Sequence, residues 1–177
     1  MFVHDSDMES DVDTAWYRSS AVFDVTEGGE FGWRSGWAKW PHYYYDRLPN
    51  LMDTGRGSPT GGVCYDHFTF PERYQNTMFL ADWSQGRIIN VRLKPLGSSY
   101  TATSEVFLQG QPLNVTDVEV GPEGNLFFCT GGRSTTGGIY RVVYTDGEPT
   151  DLTKLGTGIA EAVRQPQLEA AWTRQKI

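Results

Sequence analysis

Met1-Phe2-Val3-His4-Asp5, Met78-Phe79-Leu80-Ala81-Asp82-Trp83 and Leu126-Phe127-Phe128-Cys129-Thr130-Gly131 are three writings of one strand. Each runs into an acidic or glycine-rich turn, and Asp5 and Asp82 align within Met-Phe-x-x-Asp. The second and third writings are each followed by a Gly, then Ile88 or Ile139, then another strand. A short strand repeated in this way predicts a β-propeller, in which loops from successive blades converge on one central site. No inner strand precedes the first writing, which opens at residue 1.

Residues 58–110 read as one four-strand blade, with strands over 62–70, 76–83, 87–93 and 104–108 separated by turns at Phe70-Pro71-Glu72, Ser84-Gln85-Gly86 and Leu96-Gly97-Ser98-Ser99. The third unit places strands at 115–120, 126–130 and 138–144, with Gly121-Pro122-Glu123-Gly124 as a tight turn, and stops one strand short. Residues 1–57 hold the first strand, an acidic turn, a strand near Ala21 to Val25 and an aromatic stretch from Phe31 to Tyr45. The expected organisation is all-β over 1–145, the C-terminal part of a propeller amounting to about two and a half to three blades of a ring. A linker is expected over 146–156. A helical region is expected to start at 157–177, where Ile159, Val163, Leu168 and Trp172 recur at roughly helical spacing. So few blades cannot close a ring, so the chain reads as part of a longer one with open, aggregation-prone strand edges.

Composition agrees with a turn-dense β protein: 20 Gly, 9 Pro and 14% aromatic residues among 177. The net charge of −7 excludes a nucleic-acid surface, which needs clustered Lys and Arg. No apolar run of about 20 residues is present, so no membrane span is expected, and no signal peptide is written in this segment. Cys64 and Cys129 lie in apolar strands outside any Cys-x-x-Cys or haem-attachment pattern and read as small buried hydrophobes.

In a blade whose chain runs from inner to outer strand, the turn after the second strand and the approach to the first share a face. That geometry gathers Asp5 to Asp13, Asp82 to Gly86 and Gly131 to Gly137 with Ser58-Pro59-Thr60-Gly61 and Asn114 to Asp117. Five carboxylates alternate through Asp5-Ser6-Asp7-Met8-Glu9-Ser10-Asp11-Val12-Asp13. Asp5, Asp7, Glu9 and Asp11 are candidate ligands for Ca²⁺, which takes about six to eight oxygens. The same residues also suit a solvated acidic turn. This is no EF-hand, since its sixth position is Ser10 and its twelfth Trp16.

Trp16-Tyr17-Arg18, Phe31-Gly32-Trp33-Arg34 and Lys39-Trp40-Pro41 bring ring faces and cations near that turn. Such a mixture suits a flat polyanionic ligand, and equally suits packing between blades. Arg133 is a ligand clamp or a solvated loop tip. His4, His42 and His67 read as neutral packing histidines rather than a catalytic set. Nucleophile-elbow, zincin, Walker and dinucleotide fingerprints are missing from the sequence. Asn114-Val115-Thr116 fits a glycosylation sequon in an unfavourable strand setting.

Ser58-Pro59-Thr60-Gly61, Phe70-Pro71-Glu72-Arg73-Tyr74, Phe79-Leu80-Ala81-Asp82-Trp83 and Gly86-Arg87-Ile88 resemble the glucose/sorbosone dehydrogenase-like six-bladed propellers. Asp5-Ser6-Asp7-Met8-Glu9, Trp16-Tyr17-Arg18, Glu30-Phe31-Gly32-Trp33-Arg34-Ser35-Gly36 and Gly131-Gly132-Arg133 resemble more closely the propeller of large Planctomycetes-type proteins described as membrane-bound dehydrogenase or haem-binding proteins. The resemblance covers about residues 1–145. It implies a periplasmic or secreted quinoprotein that oxidises a small sugar or alcohol with pyrroloquinoline quinone (PQQ) and Ca²⁺. Arg18, Trp33, Arg34, Thr60, Asp82, Trp83 and Arg133 are then expected around the quinone, with the catalytic histidine on an earlier blade. A c-type cytochrome domain of the parent chain is the implied partner, although no haem motif lies in this segment. The alternative is a non-catalytic propeller that binds a glycan or a protein.

Overall fold

The computed structural model describes residues 1–34 and 39–147. Among the described residues, ten strands form three antiparallel sheets. The first sheet has the order β1 (Phe2–Asp5), β2 (Ser20–Asp24), β3 (Met52–Gly55). The second has four strands, β4 (Pro59–Tyr65), β5 (Thr77–Asp82), β6 (Arg87–Leu96) and β7 (Ser99–Gln109), and the third holds β8 (Val115–Val120), β9 (Leu126–Thr130) and β10 (Gly138–Val142). Within each sheet every strand pairs with its successor in the chain, so every sheet is a meander. The described residues are all-β and form part of a β-propeller.

Registers show that the repeated strand is the same structural position each time. β5 pairs with β4 through Pro59↔Asp82 and Gly61↔Ala81, with an irregularity at Thr60, and β9 pairs with β8 through Val115↔Thr130 and Asp117↔Cys129, with an irregularity at Thr116. On the other side, Asp5↔Ala21, Asp82↔Arg87 and Thr130↔Gly138 are equivalent pairs. Hence β1, β5 and β9 are second strands, β4 and β8 are inner strands, and β1–β3 are the second to fourth strands of their blade.

Two cores lie between the sheets. Tyr65, Phe70, Phe79, Ala81 and Ile88 of the second sheet and its loops meet Val115, Val118, Leu126 and Phe128 of the third. Val22 of the first sheet meets Met78, Leu80, Ile89 and Val91 of the second. The Tyr65 hydroxyl ties the first core together by donating to the Gly124 carbonyl at 2.7 Å and accepting from the Phe70 amide at 2.9 Å. The Gly121–Gly124 turn closes as its sequence requires, with the Gly124 amide donating to the Gly121 carbonyl at 2.9 Å and Gly124 at φ +78°.

Several bounds differ from expectation. The strand expected over 62–70 is Pro59–Tyr65, because the chain turns at His67, whose Nδ1 accepts from the amides of Phe68 and Thr69. β7 begins at Ser99 rather than 104, since its first half is an exposed polar ribbon paired to β6 through the backbone. β3, outside the expected set, completes the first blade's outer edge. Cys64 is exposed rather than buried, and Cys129 is half-buried. The helical region at 157–177 and nearly all of the linker lie outside the described residues.

Candidate functional site

The loops at one end of the three sheets are knitted together by hydrogen bonds that cross from blade to blade. Within a blade the ladders run on into this end, with the Trp83 amide donating to the Ser58 carbonyl at 2.8 Å and the Gly131 amide to the Asn114 carbonyl at 3.0 Å, while side chains make the bonds between blades. The Trp83 indole donates to the Gly131 carbonyl at 2.6 Å, Asn114 Nδ2 donates to the Trp83 carbonyl at 3.1 Å, and Thr60 Oγ1 donates to the Val115 carbonyl at 2.8 Å. From the first blade, Ser20 Oγ donates to the Gly57 carbonyl at 3.3 Å. The turns expected on one face therefore do share it.

Asp82 anchors this face. Its carboxylate, 1% exposed, accepts from the Ser58 amide at 2.8 Å and from Arg87 Nε at 3.0 Å, while Arg87 Nη2 lies 2.9 Å away. Arg87 also donates to the Thr54 carbonyl at 2.7 Å, binding the second blade to β3. Both Asp82 oxygens are engaged in holding three loops in place. Beside it, the Arg133 guanidinium lies 5.4 Å from the Trp83 ring, and exposed Thr60 flanks the same seam.

Asp5 and Asp7 of the acidic turn diverge. Asp5 accepts from the Trp33 indole and stands 3.4 Å from Lys39 Nζ, which donates to the Ser6 carbonyl at 2.7 Å. Lys39 is buried against the Phe23 and Trp33 rings, 5.8 and 4.4 Å from their centroids, and burial holds its pKa below the ordinary lysine value. Asp7, 5% exposed, accepts from the Tyr17 hydroxyl at 2.6 Å through Oδ2, while its buried Oδ1 has no partner. Burial, reinforced by the Asp7 carboxylate, pushes the Tyr17 hydroxyl up to about 12. Asp11 is buried in a short 3-10 turn over Glu9–Asp11, with Thr14 Oγ1 donating to its carbonyl at 2.6 Å.

A polar cleft of about 280 Å³ opens where the turns meet, lined by Asp7, Glu9, Arg56, Gly57, Ser58 and Ser84. It joins the acidic turn of the first blade to the approach and the second-strand turn of the next. Ser58 and Ser84 lie in turns the sequence gathers on this face without standing among its site candidates, whereas Arg56 lies outside those turns. The only sequence signal for Arg56 is its place in Gly55-Arg56-Gly57-Ser58, where Gly55 turns the chain at φ +81°.

The remaining candidates sit elsewhere. Arg34 stacks on Trp40 at 4.3 Å, and Arg18 Nη1 donates to the Tyr17 carbonyl at 2.7 Å with its buried Nε unpartnered. His4 Nε2 shares a 3.0 Å hydrogen bond with Thr54, and burial lowers its pKa to about 4. His42 pairs with Arg47 at 2.7 Å, and burial followed by that guanidinium lowers its pKa too. The seven residues expected around a quinone thus fall into separate groups: Thr60, Asp82, Trp83 and Arg133 along one seam, Trp33 on Asp5, Arg34 on Trp40, and Arg18 on its own turn. Asp5, Asp7, Glu9 and Asp11 do not converge either, and among the described residues no three His, Cys, Asp or Glu side chains gather as a metal site. As they stand, these residues form no single cradle for PQQ or Ca²⁺.

Fold, register and shared loop face define a segment of a β-propeller. Its likeness to solved structures is to sugar dehydrogenases, each at low identity. An oxidoreductase from Thermus thermophilus, described as a glucose dehydrogenase, superposes with a TM-score of 0.59 at 16% identity over 79% of this chain and 40% of its own. A second glucose dehydrogenase gives 0.56 at 19% identity over 71% of this chain and 38% of its own. The soluble aldose sugar dehydrogenase of Escherichia coli, in its apo form, gives 0.54 at 17% identity over 69% and 37%. The chain therefore spans about two fifths of the length of these proteins. A scan of protein-family models and a search of curated proteins found no match. Among the described residues, no helix is long and apolar enough to cross a membrane.

Proposed function

We propose that this chain is one wall of a sugar-dehydrogenase-type propeller, and that its polar cleft takes a small polyhydroxylated ligand, a sugar or an alcohol. The observation that carries the reading is the cleft: Asp7, only 5% exposed and with an unpartnered Oδ1, stands beside Glu9, Arg56, Ser58 and Ser84 on the face where the blades' loops meet. Carboxylates accept from ligand hydroxyls, the guanidinium donates to ligand oxygens, and serine hydroxyls do either. Adjacent hydroxyls on a sugar need that alternation of donor and acceptor. The Tyr17 hydroxyl, donating to Asp7 Oδ2, fixes that carboxylate before a ligand arrives.

Oxidation of a carbinol by hydride transfer to PQQ, with Ca²⁺ and a cytochrome domain as acceptor in a periplasmic or secreted parent, extends this reading. It is supported by the resemblance of the motifs and the sugar-dehydrogenase likeness of the fold. The described residues offer no single site for either group, so no catalytic step is assigned to them. Binding without oxidation is the alternative reading; His4 and His42, engaged with Thr54 and Arg47, serve neither reading, since the resemblance places the catalytic histidine on an earlier blade.

Saturation-transfer NMR of the 177-residue chain with monosaccharides tests the cleft. Sugar signals should appear and weaken in Asp7→Asn by about tenfold in affinity or more, as expected for loss of a charge-assisted hydrogen bond. No saturation transfer at tens of millimolar sugar, or equal transfer to Asp7→Asn, would overturn it. Sugar-dependent dye reduction by the full-length parent with added PQQ and Ca²⁺ separates the enzyme reading from the binding-only one.

A further inference from the structure

The cleft between the first and second blades is unevenly supplied with charge. Asp7 and Glu9 bring two carboxylates to its lining, and Arg56 brings one guanidinium. Among the described residues none of these three forms an ion pair. The neighbouring charges are already matched, Asp82 with Arg87 at 2.9 Å and Asp5 with Lys39 at 3.4 Å. The lining is therefore left with an excess of negative charge, in a chain whose own net charge is −7.

Hydrogen bonding is lopsided in the same direction. Tyr17 occupies Asp7 Oδ2 at 2.6 Å, while the buried Oδ1 accepts from nothing. Ser84 Oγ donates to Asp82 Oδ1 at 3.4 Å and the Ser58 amide donates to the same oxygen at 2.8 Å, so both donors are directed away from the cleft. The acceptors that remain are Asp7 Oδ1, the Glu9 carboxylate and the Ser84 lone pairs; Arg56 is the charged donor. A buried carboxylate oxygen without a donor is costly, so a ligand that relieves it must offer hydrogens to it.

The frame around that oxygen is fixed. Ser20 Oγ accepts from the Asp7 amide at 3.1 Å and donates to the Gly57 carbonyl at 3.3 Å, tying the acidic turn of the first blade to the approach of the second. Gly57 admits nothing larger, since a Cβ there would stand 2.5 Å from Asp82 Oδ2. Swinging the Asp7 carboxylate toward another partner would break its bond from Tyr17.

We infer that the cleft selects a protonated amine carried on a polyol, an amino sugar or amino alcohol, over the neutral sugar of the same size. This rests on the sugar-cleft reading above and narrows it. The ammonium group, all donor and no acceptor, sits against Asp7 Oδ1 and Glu9, and the hydroxyls beside it meet Arg56 and Ser84. A divalent metal ion matches the lining less well. Among the described residues no three His, Cys, Asp or Glu side chains gather, and the Arg56 guanidinium repels a double charge more than a single one.

Heteronuclear NMR titrations of the 177-residue protein at about pH 6, where a sugar amine is protonated, compare D-glucosamine, D-glucose and N-acetyl-D-glucosamine. Glucosamine should bind more tightly than the other two by about tenfold or more, the margin of a charge-assisted over a neutral hydrogen bond. Asp7→Asn should bring the three affinities together, and Glu9→Gln, a change at an exposed side chain, should lower the preference as well. Circular dichroism shows whether Asp7→Asn is folded, and the comparison of ligands on the wild-type protein needs no variant. Equal affinity for glucosamine and glucose would overturn the inference while leaving the sugar cleft standing. Absence of binding by all three sugars at tens of millimolar would overturn both. Methylamine displacing glucosamine at equal concentration would also overturn the inference, reducing the site to a cation trap. So would a glucosamine preference undiminished in both variants, which would place the attraction in the overall acidity of the chain.

Discussion

Asp82→Ala should be among the most damaging single changes to this chain. The carboxylate is 1% exposed and accepts from Ser58 and Arg87 at 2.8 to 3.0 Å, so its removal orphans a backbone amide and a guanidinium together. One-sided loss of a buried ion pair costs about 3–5 kcal/mol. The Arg87 side chain retains 19% exposure and its bond to the Thr54 carbonyl, which moves the expectation to the low end, about 3 kcal/mol. For a chain of this size that corresponds to about 6–12 °C in melting temperature. Asp82→Asn, still able to accept from Ser58, should cost less. The double change Asp82→Ala with Arg87→Met should recover part of the loss, because it leaves no uncompensated charge. Urea denaturation followed by circular dichroism, with unchanged slope, gives each value. A cost for Asp82→Ala under about 0.5 kcal/mol, the range of an exposed pair, would refute the anchoring role. So would a double variant no more stable than the single one.

Gly124→Ala should destabilise by about 1–3 kcal/mol, because Gly124 sits at φ +78° and a Cβ there would overlap His67 Nδ1 and Thr69 Oγ1; a smaller loss in urea midpoint than Gly97→Ala, where the surroundings are open, would contradict this. Phe79→Ala, at a fully buried ring in edge contact with Tyr65 and Phe107, should cost about 3–5 kcal/mol by the same assay, and a cost below about 1 would deny that the first core is packed. His4 links stability to pH: its pKa falls from 6.5 in the unfolded chain to about 4 in the folded one, through burial opposed by Asp82. The unfolded state then binds the extra proton, so stability falls as pH drops from about 6.5 to about 4, by up to about 3 kcal/mol from this group. His4→Gln should remove that share of the drop; an identical pH profile in the variant would contradict the burial.

Legibility of the fold follows apolar content. β8 and β9 begin and end where the sequence places them, because alternating Val residues and a Leu-Phe-Phe run are bounded by Gly-Pro-Glu-Gly and Thr-Gly turns. β3 leaves no sequence signal because Met52-Asp53-Thr54-Gly55 carries one apolar side chain and joins β2 through its backbone. The shared loop face follows from strand order alone. Its detailed contacts do not, since the Trp33 indole reaches Asp5 across 28 positions and Arg87 reaches Thr54 across 33. Cys64 departs from expectation for a related reason: an apolar strand predicts burial only where a neighbour covers it, and among the described residues none covers Cys64.

Nuclear Overhauser contacts across the loop face test the central claim most directly, that the three writings of one strand are equivalent propeller strands whose turns converge. Contacts are predicted from the Trp83 indole proton to Gly131 and Gly132, from the Thr60 methyl to Val115, and from Ser20 to Gly57, with slow exchange of the Trp83 indole N–H. Absence of these contacts, together with a fast-exchanging Trp83 indole, would show three independent meanders and contradict it.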